Sequence, residues 1–189
     1  MFLVRHGQTD WNAEHRLQGQ QDIPLNAIGR DQAAKNGEKL RSLVTDPSNY
    51  RFIASPMGRT RETMEIIREA MGLAAQSYET NPAFIEISFG DWEGHTLEEL
   101  YHETPALVKG RKKDKWHFRP PAGESYADLA KRTVPAFEAL EDRTILVSHG
   151  GTMRTLMHHL GAGSEQDMAQ LIIPQDQILR RTANDLIWI

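Results

Sequence analysis

The chain has 189 residues, 39% of them hydrophobic and 25% charged, with a formal net charge of −4 and no cysteine. That length supports a single domain with a full core, and the composition excludes a disordered chain. The acidic balance argues against a dedicated nucleic-acid binder, the missing cysteines exclude disulfides and thiolate chemistry, and no apolar run approaches the roughly 20 residues that span a bilayer.

Phe2-Leu3-Val4 reads as a short buried strand that stops abruptly at Arg5-His6-Gly7 and the polar Gln8, Thr9, Asp10 and Asn12. Arg5 interrupts the apolar run so early that no signal peptide is read, and a cytoplasmic protein is expected. A strand that delivers a guanidinium and an imidazole to a sheet edge makes His6 a candidate nucleophile, with Arg5 holding a phosphate beside it. A merely structural strand-end histidine is the plainer alternative. Gly7 allows close approach of the backbone to a bound group. Residues 12–27 carry the turn signals Gly19, Asp22, Pro24 and Asn26 and are expected to wrap the strand end as a loop. Asn26 is placed to cap a helix to about Val44, with Ala33, Gly37, Leu40 and Val44 at helical spacing.

Arg51 to Ser55 forms the next strand, closed by Ser55-Pro56. In the following helix Met57, Thr60, Met64, Ile67 and Met71 make a stripe that reads as core packing. Arg59 and Arg61 fall in its first turn, where the macrodipole disfavours cations, so a compensating anion is expected nearby; Arg61 fits a solvated surface better. Residues 75–81 are expected to form a third strand. Glu86 then sits between apolar neighbours, a setting that raises a carboxyl pKa by desolvation. A lone glutamate in such a run usually faces solvent, so it matters only if it meets the histidine site.

Residues 96–119 look like a small inserted lobe, with a short helix and then the basic run KGRKKDKWHFR. That run is either a rim that draws in an anionic substrate or a solvated stretch of charge. Ser125 and Asp128 open a capping-box helix to about Leu140, which Pro135 should kink or split. Arg143 to Ser148 is the clearest buried strand and ends in His149-Gly150-Gly151, repeating the pattern of the N-terminus. A helix with Met153, Leu156, Met157 and Leu160 on one side follows. His158 and His159 read as surface or packing residues, since no metal-ligand partner has matching spacing. Residues 172–189 suit two more strands around a turn near Asn184.

Strands alternating with helices predict a single α/β domain over residues 1–189, a three-layer α/β/α sandwich around a mainly parallel sheet. Ligands bind beyond the C-terminal strand ends in such sheets, which would bring His6, Arg59 and His149 to one edge. Two arginines and two imidazoles suit a phosphoryl group. An imidazole nucleophile, arginine stabilisation and a carboxylic acid, Glu86, make a covalent route to phosphate transfer. No metal is required, because arginines can take its place.

RHGQTDWN, SPMGRTRET, FGDWEG and VSHGGTMR, together with Asp22-Ile23-Pro24-Leu25 and Gly123-Glu124-Ser125, resemble the signatures of the histidine phosphatase superfamily, the phosphoglycerate mutase-like family. They run in the family's order across about four-fifths of the chain. The resemblance implies His6 as the phosphorylated nucleophile, Arg5, Arg59 and His149 as the phosphate pocket, and Glu86 as proton donor. It further implies Asn12 as a pocket contact and Gln18 and Gly19 as substrate contacts. Met57 replaces a commoner leucine and Ala122 a frequent glycine. The lobe between Glu86 and Ser125 is shorter than the insertion of cofactor-dependent phosphoglycerate mutases, so water should reach a phosphohistidine. The expectation is a phosphatase acting on a small phosphorylated metabolite, without cofactor, nucleic-acid or membrane partner, as a monomer or homodimer. Mutase activity is the alternative, and a catalytically silent phospho-ligand-binding module the third reading.

Overall fold

The computed structural model describes residues 1–189. Its strands are β1 (Phe2–Arg5), β2 (Arg51–Ala54), β3 (Glu79–Thr80), β4 (Thr144–Ser148), β5 (Ile178–Arg181) and β6 (Leu186–Trp188). The helices are α1 (Asp10–Ala13), α2 (Ala27–Leu43), α3 (Gly58–Ala70), α4 (Leu97–Glu103), α5 (Pro105–Lys113), α6 (Tyr126–Glu138), α7 (Gly150–His159) and α8 (Glu165–Gln170).

One sheet runs in the order β3-β2-β4-β1-β5-β6. Its first four strands are parallel, and β5 and β6 add as antiparallel neighbours. Alternation along each strand sends side chains to opposite faces. Leu3, Ile53, Leu146 and Leu179 pack with Leu129, Phe137, Met153 and Leu156 of α6 and α7. Phe2, Val4, Phe52, Ile145 and Val147 pack with Leu40, Met64 and Ile67 of α2 and α3. The sheet is thus covered on both faces, which is why its strands are continuously apolar. Met57, Thr60, Met64, Ile67 and Met71 are all buried, as their stripe predicts.

The register decides where the chemistry falls. Arg5 is level with Ser148, and Ala54 with Val147. The ladder continues through His6 N–H to Ser148 O (3.0 Å) and Ser55 N–H to Val147 O (3.0 Å). His6, Ser55 and His149 therefore leave the sheet side by side.

Several expectations change. Residues 12 and 13, expected to open the loop, close a helical turn, Asp10–Ala13, because Thr9 and Asn12 form a reciprocal capping box. The third strand shrinks to Glu79–Thr80, since Asn81 caps a 3₁₀ turn at Pro82–Phe84. Pro135 neither splits nor interrupts α6; it lies near the C-terminal end, where few later bonds depend on it. Gly7 serves the protein's own packing, because a Cβ there would fall on the backbone of Gly29 in α2. Residues 109–119 divide in two. Lys109, Lys112 and Lys113 are exposed, whereas Arg111 and Lys115 are half-buried and Trp116 is buried, stacked on Tyr126 with ring centres 5.6 Å apart.

Candidate functional site

His6 is 3% exposed at the C-terminal end of β1. Its Nδ1 lies 2.8 Å from the Gly7 carbonyl. A carbonyl only accepts, so Nδ1 carries the proton and Nε2 presents a lone pair. Arg59 Nε donates to that nitrogen at 3.3 Å. Burial first, then the Arg59 and Arg5 cations, hold the imidazole well below its ordinary pKa. His6 is therefore neutral at pH 7, the form a nucleophile needs.

The His149 ring stands 5.3 Å from that of His6 at 63°. Its Nε2 meets Ser55 Oγ at 2.8 Å, and its buried Nδ1 has no partner. Burial, then Arg59, His6 and Arg5, push His149 well below the ordinary imidazole value as well.

Arg59 is 1% exposed, and it donates to Gln21 O (2.6 Å) and Gly19 O (2.8 Å). The anion that a cation in this first turn calls for is Asp22. Its carboxylate accepts the N–H groups of Gly58 (2.8 Å) and Arg59 (3.4 Å) and lies 3.8 Å from the guanidinium. Asp22 thus caps a helix whose own N-cap residue, Met57, contributes no side-chain bond. Arg61 is exposed, as expected. Arg5 donates to Ile173 O at 2.8 Å, while its buried Nε is unpartnered. Burial and then Arg154 push its guanidinium down to about 10.

Glu86 does meet the histidine site, but in a polar setting rather than the apolar one its neighbours predict. Its carboxylate accepts the N–H groups of Ile87 (2.9 Å), Gly151 (3.0 Å) and Thr152 (3.2 Å). Two of these donors belong to the first turn of α7, a natural seat for an anion. The segment carrying Glu86 is held by Arg132, which donates to the carbonyls of Ala83 (2.9 Å), Ile85 (2.6 Å) and Glu86 (3.0 Å). Arg132 also pairs with Glu124 at 3.0 Å, and Glu124 accepts the Ser88 N–H at 2.9 Å.

Of the eight residues singled out in the sequence, Arg5, His6, Asn12, Gln18, Gly19, Arg59 and Glu86 line one cavity of about 150 Å³. His149 is fully buried and packs against His6 from outside that lining. Asn12 Oδ1 and the His6 carbonyl both accept from Gln175 Nε2 at 3.0 Å. Gln18 donates to Thr9 Oγ1 at 2.5 Å. Gly19 contributes backbone, at φ +53°, where a Cβ would fall on the Glu93 carboxylate. Larger clefts of about 530 and 520 Å³ lie elsewhere, but neither is lined by a histidine. The small one holds the chemistry: a neutral imidazole between two guanidinium groups, with one carboxylate at its wall.

Residues 1–182 match the profile of the histidine phosphatase superfamily, branch 1. The chain belongs to the histidine phosphatase superfamily. It is 35% identical over 165 residues to a probable phosphoglycerate mutase GpmB of Yersinia enterocolitica, covering 85% of this chain and 74% of that one. A probable phosphoglycerate mutase GpmB of Salmonella paratyphi C is 37% identical over 159 residues, 79% of this chain and 69% of that one. Among solved structures, Bacillus stearothermophilus YhfR superposes with a TM-score of 0.80 at 27% identity, covering 99% of this chain and 93% of that one. A mycobacterial glucosyl-3-phosphoglycerate phosphatase complexed with VO3 gives 0.80 at 26% identity, covering 100% and 95%. The fold is phosphoglycerate mutase-like, a six-stranded sheet with eight helices.

Arg132, Gln175, Ser55 and Arg154 also contribute to the site, and the sequence does not mark them for it. Arg132 lies beside the buried stripe of α6, adjacent to Thr133 and near Leu129. That was the available signal: a cation at the edge of an apolar face needs acceptors.

Proposed function

We propose that this protein is a metal-independent phosphomonoesterase that hydrolyses a small phosphorylated metabolite through a phosphohistidine on His6. The observation that carries the reading is the neutral His6 Nε2, 3.3 Å from Arg59 Nε in a cavity shared with Arg5 and Glu86. Nε2 attacks phosphorus, the P–N bond forms as the ester P–O bond breaks, and Glu86 protonates the departing oxygen. Water then attacks the phosphohistidine, Glu86 takes back a proton, and phosphate leaves neutral His6 behind.

Phosphate-monoester hydrolysis demands barrier lowering on the order of 20 kcal/mol, which no single group supplies. Splitting the transfer in two lowers each barrier. Arg5 and Arg59 stabilise charge on the equatorial oxygens, each such donor contributing about a hundred- to a thousand-fold. A positioned acid adds about a hundred- to ten-thousand-fold. His149, buried against His6 from outside the cavity lining, keeps the nucleophile's ring in place, and Asn12, Gln18 and Gly19 form the pocket's substrate-facing rim.

Turnover of an aryl phosphate in the presence of chelator, abolished in His6→Ala, is the expected result; full activity of His6→Ala refutes the reading. Phosphoryl return to a second hydroxyl is favoured as the alternative by the curated relatives' name, probable phosphoglycerate mutase GpmB. Isomerisation of a phosphoglycerate outrunning phosphate release identifies that case. The shortness of the lobe at 96–119, too small to be the enclosing insertion of cofactor-dependent mutases, and the glucosyl-3-phosphoglycerate phosphatase among structural neighbours favour hydrolysis. No helix is long and apolar enough to cross a membrane.

A further inference from the structure

Between α8 and β5 the chain passes beside the site, and alternate residues there serve it. The Leu171 carbonyl accepts from Arg154 Nε at 2.8 Å and the Ile173 carbonyl from Arg5 Nη1 at 2.8 Å. Both arginines line the His6 cavity. Gln175 continues the series with its side chain, whose Nε2 lies 3.0 Å from both the His6 carbonyl and Asn12 Oδ1. Ile172 between them is exposed whereas Ile173 is fully buried, the alternation that an extended backbone gives. Gln175 is itself held, because its carbonyl accepts from Nδ2 of Asn36, a buried residue of α2, at 3.0 Å.

Chemistry fixes which way these amides face. A backbone carbonyl only accepts, so the Gln175 atom between His6 O and Asn12 Oδ1 is the nitrogen. Asn12 follows, because its Oδ1 accepts the Thr9 N–H at 3.2 Å as well as the Gln175 amide. Two donors use both lone pairs of that oxygen. Asn12 Nδ2 donates to no protein group, and Asn12 lines the cavity with Arg5, His6 and Arg59. Turned round, the same amide would face an anion with an acceptor and set its nitrogen against two donors. The other contact of Gln175 is with the nucleophile's own backbone. The His6–Gly7 peptide is gripped at both ends, its carbonyl by Gln175 and its N–H by Thr63 Oγ1 at 3.1 Å.

We propose that Gln175 is a positioning residue of the phosphoryl pocket: it holds Asn12 with the amide nitrogen turned to the phosphoryl oxygens and steadies the peptide behind His6. The inference rests on the phosphomonoesterase reading for what occupies the pocket. Gln175 is outside the cavity lining, so it acts through Asn12 and His6. An N–H aimed at a charged oxygen makes a strong hydrogen bond, whereas an amide free to turn presents its oxygen part of the time and repels the anion.

The test is calorimetric titration of the intact protein with inorganic phosphate, in wild type, Gln175→Leu, Asn12→Ala and the double variant, each checked for an unchanged melting transition. Expected is phosphate binding about tenfold weaker in each single variant. The double variant should bind within about threefold of Asn12→Ala alone, because Gln175 has then lost the group it orients. Gln175→Glu keeps the side-chain shape but accepts where glutamine donates, and it serves in the same cycle if Gln175→Leu does not fold. Its effect should shrink in the Asn12→Ala background; an equal effect in both backgrounds is charge alone and overturns the role. Wild-type affinity in Gln175→Leu, or losses that multiply to about a hundredfold in the double variant, overturns it too. Wild-type protein that binds no phosphate overturns the phosphoryl pocket and this role with it, whereas phosphate binding indifferent to Gln175 overturns the role alone.

Discussion

The Glu86 carboxylate accepts the backbone N–H of Gly151 at 3.0 Å, so the first turn of α7 seats the only acid that lines the His6 cavity. The seat requires glycine. A Cβ on residue 151 would fall on Glu86 Oε1 and press on Ile87 Cγ2 at 3.0 Å. Gly151→Ala is expected to push the acid off its donors and cut kcat on an aryl phosphate about a hundredfold, with KM little changed. Steady-state kinetics with circular dichroism as a folding control decides the matter; an unaltered kcat would mean that Glu86 does not act from this position.

Arg132 supports the same acid from the other side, through three carbonyls of the 83–86 segment and Glu124. Arg132→Met leaves those acceptors without their donor. The expected cost is about 2–3 kcal/mol in a urea unfolding curve, from part-buried carbonyls losing charge-assisted bonds. A fall in kcat should accompany it and be partly recovered in Arg132→Lys, which restores charge but not the forked geometry. A loss of stability with kcat intact would confine Arg132 to a structural role.

The parts of the site legible in the sequence are those in which a strand announces itself. Phe2-Leu3-Val4 before Arg5-His6 and Ile145-Leu146-Val147 before Ser148-His149 are short apolar runs that end in reactive groups, and the sheet brings both ends together. The parts that were not legible depend on backbone atoms. Glu86 looked desolvated because its sequence neighbours are apolar, yet two of its three donors arrive from residues 151 and 152, about 65 positions away. Arg132 and Gln175 bind carbonyls, which every residue has and no sequence pattern marks. Gly7 reads in the sequence as a place for ligand approach because the Gly29 backbone that needs its bare Cα lies in α2, beyond α1 and the loop that follows it.

Asp22 caps α3 from a distant loop, and its carboxylate is half-exposed. Asp22→Ala removes the only side-chain acceptor at that helix start and is expected to cost about 1 kcal/mol. Asp22→Asn keeps an acceptor and should cost only a few tenths of that amount. Equal losses for the two variants in chemical unfolding would shift the explanation from capping to the Asp22 charge.

The buried imidazoles of His6 and His149 make stability depend on pH in a definite direction. Both are held well below the ordinary imidazole value of about 6.5 by burial and then by Arg59. Above that value neither the folded nor the unfolded chain protonates them, and they have no effect. As pH falls below it, the unfolded chain takes up protons that the folded chain refuses, so the folded state loses ground. Each group can contribute up to about 1.4 kcal/mol per pH unit until its folded-state value is reached. Lys115, lowered from 10.5 to about 7, acts with the same sign in the window between those values. The urea midpoint should therefore fall steeply between about pH 6.5 and 5, ahead of the region where ordinary carboxylates titrate. His6→Asn and His149→Asn should each flatten that limb while leaving the Lys115 window unchanged. A limb of the same slope in wild type and both variants would mean that the two imidazoles accept protons freely in the folded protein, and His6 would then not be held neutral for attack on phosphorus.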